Sequence, residues 1–116
     1  MGAGKGEGQR LKDYVLSPNS QDSLTEIFLW TIRNFGMSQA ERYVDDVLSR
    51  CAAIGAGDAH RQPCSAVFGD DLAESLHFTR CGRHYIVFTE TIFEIRIIDF
   101  LHQSADIARH LQGPHP

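Results

Sequence analysis

Residues 17–55, SPNSQDSLTEIFLWTIRNFGMSQAERYVDDVLSRCAAIG, decide the fold, because they read as two antiparallel helices. Ser17 is a good N-cap, its hydroxyl able to accept from a free backbone N–H, and Pro18 suits the first helical position. Leu24, Ile27, Phe28, Ile32 and Phe35 then recur at three- and four-residue steps, the spacing of one helix face. Gly36 predicts the stop, since glycine enters the left-handed region freely. Ser38-Gln39-Ala40-Glu41 has the form of a capping box for the second helix. That helix carries Ala40, Tyr43, Val44, Val47, Leu48, Cys51 and Ile54 on one face, and Gly55 is expected to close it. So short a connection turns both apolar stripes the same way, and the rest of the chain has to cover them.

Outward from the hairpin, Lys12 to Leu16 alternates as a first strand, with Tyr14 and Leu16 on a shared face. Residues 56–71 carry Gly57, Pro63 and Gly69 and read as a surface connection, with Ala66-Val67-Phe68 as a possible anchor. Three strands follow, at Ser75–Thr79, His84–Thr89 and Ile92–Phe100, turning at Cys81-Gly82 and Glu90-Thr91. Phe93, Ile95 and Ile97 share one face of the last strand; Glu94, Arg96, Ile98 and Phe100 share the other, a mixed face suited to partial cover by a partner. A short helix from Ser104 to about Leu111 ends at Gly113-Pro114. The fold class is therefore α+β: a first strand, a long helical hairpin, a three-stranded antiparallel meander and a short C-terminal helix. One domain over 11–112 is expected, with a disordered glycine-rich extension at 1–10 and a flexible tail at 113–116.

A chain of 116 residues with net charge −4 and pI near 5.8 has no general pull towards nucleic acid. No apolar run approaches the ~20 residues that cross a bilayer, and no signal peptide is seen; a soluble, cytoplasmic protein is the reading. Cys51, Cys64 and Cys81 form no CxxC pair, and no zinc spacing emerges. From Gly69 to Phe100 six acids (Asp70, Asp71, Glu74, Glu90, Glu94, Asp99) face three bases (Arg80, Arg83, Arg96), a poor surface for a polyanion. The hairpin is no DNA reader either, since Glu41, Asp45 and Asp46 would repel a phosphate backbone. His84, His102 and His110 are scattered, so neither a metal nor another cofactor is expected, and His102 reads as a strand-end hydrogen bonder. Leu29 and Trp30 flank the first helix's polar face. They either cover the hairpin's edges or line a partner groove.

Taken in order, these residues resemble the ParE branch of the RelE/ParE toxins of bacterial type II toxin–antitoxin modules. The likeness runs over about residues 12–111. It rests on Leu16-Ser17-Pro18, Leu24, Ile27-Phe28-Leu29-Trp30-Thr31, Phe35-Gly36, Gln39-Ala40-Glu41-Arg42-Tyr43, His84-Ile86-Phe88, and the closing Leu101-His102, Asp106 and His110-Leu111. One departure is Asp99, where the family usually has Arg. The resemblance implies a toxin that inhibits DNA gyrase by binding, without enzymatic chemistry, and a cognate ParD-like antitoxin that neutralises it. A RelE-like, ribosome-dependent mRNA endonuclease and an inactive antitoxin-binding relative are the alternatives. It further implies antitoxin contacts at Tyr14, Leu29, Trp30, Arg80 and Arg83. Target contacts would lie towards the C-terminus, at Arg96, Asp99, His102, Asp106 and His110, with neither direct nucleic-acid binding nor a membrane role.

Overall fold

In the computed structural model, which describes residues 11–112, Ser17 ties the first helix to the sheet. The expectations for 1–10 and 113–116 lie outside the described residues. The elements are β1 (Asp13–Leu16), α1 (Pro18–Phe35), α2 (Met37–Ala56), β2 (Gln62–Pro63), α3 (Cys64–Val67), β3 (His77–Cys81), β4 (His84–Glu90), β5 (Glu94–His102) and α4 (Ile107–Leu111). Ser17 caps α1 by accepting from the Ser20 N–H at 3.0 Å, while its own hydroxyl donates to the Ile98 carbonyl at 2.7 Å. One side chain thus satisfies an orphan helix donor and fixes the helix against β5.

The five strands lie in the order β1-β5-β4-β3-β2, with β1 parallel to β5 and the remaining pairs antiparallel. The fold is α+β, with the meander in place. The two long helices cover one face. Ile27, Val47, Cys51 and Ile54 from the hairpin bury against Ile86, Phe88, Ile95, Ile97 and Phe100 of the sheet. Each such side chain, fully buried, contributes roughly 1.5–3 kcal/mol relative to exposure, which holds the hairpin down. Burial also pushes the Cys51 thiol up to about 12 and the Cys64 thiol to about 11, so both are inert core residues.

Several local expectations are corrected. Gly36, at φ +93°, serves both helices at once: its N–H donates to Ile32 and its carbonyl accepts from Ala40. The second helix therefore begins at Met37, and the Ser38–Glu41 box forms no side-chain cap. It ends at Gly57 rather than Gly55, with the Asp58 N–H on the Ala53 carbonyl. The last strand starts two residues later than expected, leaving Phe93 80% exposed outside it.

The largest correction concerns the second face of the sheet. Phe88 pairs with Ile97 but Val87 pairs with Asp99, so Ile98 is an extra residue in β5. Ile98 and Phe100, expected on one face, lie on opposite sides. The face below is covered by the chain itself: Cys64, Leu72 and Leu76 from the connection, and Ile107 and Leu111 from α4, pack on Phe78, Val87, Ile98 and Leu101. Phe68 anchors the connection, with ring centroids 4.8 Å from Phe78 and 5.3 Å from Tyr85.

Candidate functional site

Where the hairpin tip overhangs the end of the sheet, a groove of about 730 Å³ opens between α1, the start of α2, the β3–β4 turn and the end of β5. Its upper wall is aromatic. Trp30 and Phe35, 51% and 57% exposed, meet edge to face with centroids 5.8 Å apart. Two large rings left half in water at one spot are the kind of anchor a partner buries. Ser23, Glu26, Thr31 and Gln39 add polar groups along the helices.

The floor is polar and tightly held. Tyr43 Oη lies 2.7 Å from His84 Nδ1 and 3.1 Å from the Cys81 carbonyl, and it accepts from the Arg83 N–H at 3.3 Å. Its phenolic group is raised above the ordinary value, chiefly by burial. His84 stands directly across the ladder from His102, their rings 5.2 Å apart and nearly perpendicular. His102 Nδ1 accepts from the Ser104 N–H at 3.0 Å, which leaves the neutral ring's proton on Nε2. Arg83 at the rim has no ion-pair partner among the described residues.

Burial, with His102 second, lowers His84 to about 4. Unfolded, the same ring titrates near 6.5. Between these values the unfolded chain binds more protons, so the contribution of neutral His84 is complete above pH 6.5 and is lost as pH falls towards 4. Thermal melts should show a fall of about 2 kcal/mol over that window, discounted for the ring's partial exposure. The dependence should flatten in His84→Gln. A wild-type melting temperature unchanged from pH 7 to pH 4 would contradict the placement of this ring.

The model of the ParE toxin of the type II toxin–antitoxin system parDE matches residues 14–107. The chain belongs to the ParE toxin family. A solved structure titled as the chromosomal ParDE toxin–antitoxin system from P. aeruginosa matches with a TM-score of 0.56 and 12% identity, over 79% of this chain and 96% of that one. At that identity the likeness is one of fold. No curated protein matches the chain.

For a ParE-family chain, the residues singled out in the sequence divide sharply. Trp30, Arg83 and His102 line the groove. Leu29 is exposed beside Trp30, and Arg80 lies at the same turn, donating to the Gly82 carbonyl and to Gln103. Tyr14 is elsewhere: it packs into the core, raised by burial and by Cys51. Asp99 accepts from the Ser23 hydroxyl at 2.6 Å and Asp106 caps α4, so both carboxylates have internal partners. Arg96 is exposed and bonded to Glu94 at 2.8 Å, six residues and roughly 20 Å of strand from His102. His110 is exposed on α4.

Phe35, Tyr43 and His84 escaped the sequence reading as groove residues. Phe35 and Tyr43 both fit the buried stripes; Phe35 is nonetheless 57% exposed at the hairpin tip, whereas Tyr43 packs against the core with its hydroxyl on Cys81 and His84. The signal for Phe35 was its place next to Gly36, one residue from the turn.

Proposed function

We propose that this ParE-family chain inhibits DNA gyrase in the cytoplasm by binding it, performing no chemistry, and that a ParD-like antitoxin neutralises it. The observation that carries this reading is the family match over residues 14–107. The antitoxin would lay an amphipathic helix into the groove, apolar face on Trp30 and Phe35, with a carboxylate towards Arg83. Gyrase would meet the sheet end and α4, from Arg96 to Leu111.

The groove's chemistry favours binding over RNA cleavage. Among its lining residues Arg83 is the one Lys or Arg, so little is present to stabilise charge on a scissile phosphate. His84 is held by Tyr43, and His102 Nδ1 is occupied by Ser104, so both groove histidines are engaged in structural hydrogen bonds.

The test is purified toxin on gyrase, reading supercoiling and trapped cleavage complex. Normal supercoiling without trapped complex at micromolar toxin would sink the gyrase reading in favour of an inactive antitoxin-binding relative. Codon-specific cuts in ribosome-bound mRNA would replace it with the endonuclease. Trp30→Ala should weaken antitoxin binding about 30-fold, some 2 kcal/mol, with the melting temperature almost unmoved because the ring is half exposed. Titration calorimetry giving wild-type affinity would remove Trp30 from the contact.

A further inference from the structure

The loop between β4 and β5 lies at the end of the sheet away from the groove, with the seven residues of β4 between them. It is tightly built. The Thr91 N–H donates to the Glu94 carbonyl at 2.9 Å, and the Phe93 and Glu94 N–H groups both donate to the Thr91 hydroxyl oxygen at 3.1 Å. Lys12 braces the loop by donating to the Thr91 carbonyl at 2.9 Å. This frame presents Ile92 and Phe93 to water, 78% and 80% exposed. Asp13 pairs with Glu94 in the parallel register, so Leu11, 73% exposed, continues towards the same tip. Large apolar side chains on a backbone already fixed lose little freedom when a contact covers them.

The charges beside the tip have opposite signs on its two flanks. On the β1 flank Asp13 is exposed and has no hydrogen-bond or ion-pair partner among the described residues. On the β4 flank Glu90 binds both Lys12 and Arg61, so that cluster keeps a positive charge in excess. Glu94 and Arg96 on β5, between the flanks, neutralise each other at 2.8 Å. A two-fold axis through the tip exchanges the flanks. It therefore brings the free carboxylate of one copy to the surplus cation of the other, twice over.

We propose that two copies of this chain associate tip to tip about such an axis. Leu11, Ile92 and Phe93 of each copy bury against those of the other, and Asp13 of one meets the Lys12–Glu90–Arg61 cluster of its partner. An apolar centre with complementary charged margins has the anatomy of a protein contact, and here the surface complements itself. Residues 1–10, MGAGKGEGQR, suit the tip badly as an internal cover, since Met1 is their one large apolar side chain. Both grooves stay open in the pair, so the inference stands apart from the gyrase and antitoxin readings.

The test is sedimentation equilibrium of the full chain purified without antitoxin. Its mass should rise with concentration from 13.0 kDa towards twice that value, with a dissociation constant on the order of 100 µM, as suits so small a contact. Ile92→Ser and Phe93→Ser should each weaken association at least tenfold at an unchanged melting temperature, because both side chains stand in water in the single copy. Asp13→Arg should weaken it at least tenfold too, and adding Arg61→Asp should restore it. A 13.0 kDa species alone up to about 1 mM would overturn the proposal. So would a dimer indifferent to Phe93→Ser and to Asp13→Arg, which would lie elsewhere on the surface. Faster amide exchange at Thr91–Glu94 on deleting residues 1–10, or slower exchange there when antitoxin binds a monomeric toxin, would give the tip to another occupant and overturn it as well.

Discussion

Val47→Asp should abolish cooperative folding. Val47 is fully buried at the centre of α2's apolar face, in the same cluster as Ile27, Cys51, Ile54 and Phe88. Every neighbour in that cluster is apolar or a thiol, and the helix cannot rotate an aspartate out without exposing Cys51 and Ile54. Burying an uncompensated charge or neutralising it against its pKa costs on the order of 3–5 kcal/mol. A domain of this size has only about 5–15 kcal/mol in total, so a loss of melting temperature of at least roughly 15 °C, or no transition at all, is expected. Asp45 and Asp46 stand exposed on the same helix, which makes the position rather than the charge the cause. Circular dichroism melts decide the matter: a variant melting like wild type would mean that α2 does not pack on the sheet as described.

Gly55→Ala is expected to be the most damaging conservative change. Alanine is the better helix former, and inside α2 the swap should gain roughly 0.5–1 kcal/mol. Yet a Cβ at position 55 would stand 2.0 Å from the Lys12 carbonyl oxygen and 3.1 Å from its carbon. Both are backbone atoms, and the Lys12 N–H is bonded to the Gly55 carbonyl at 3.1 Å, so neither segment can yield without breaking that contact. Overpacking of this kind costs typically 1–3 kcal/mol and here exceeds the propensity gain. Urea titration should show a net loss of about 2 kcal/mol, with amide protection falling first at Tyr14–Leu16. Stability equal to or above wild type would show that β1 docks less closely on α2.

These two residues mark what can be read without coordinates. Val47 sits in a strict helical stripe, and periodicity alone places it in the core. Gly55 looked like a helix stop because the sequence does not show a strand crossing the helix at that point. The same distinction runs through the site. Trp30 is legible as an aromatic off the stripe, whereas Arg83 enters only through the family resemblance. Phe35 and Tyr43 both obey the stripe, yet only Tyr43 packs against the core while Phe35 stands 57% exposed. Nothing local says that β1 pairs in parallel with the distant β5 and turns Tyr14 towards the helices. Asp99, the departure from the family pattern, is held by Ser23 seventy-six residues earlier, a partnership no window of sequence contains.

The single extra residue at Ile98 acts as a phase slip in a strand whose side chains otherwise keep a two-residue rhythm. Upstream, Ile95 and Ile97 report to the helices; downstream, Phe100 does so, while Ile98 and Leu101 serve the opposite layer. A saturation scan across residues 94–102 would accordingly show tolerance out of step on the two sides of Ile98, with no uniform alternation. The slip lets one strand hold Ser23 through Asp99 and fill the lower core through Ile98. Excising Ile98 would keep the strand's pairing but turn the Asp99 carboxylate towards Val87, into oil.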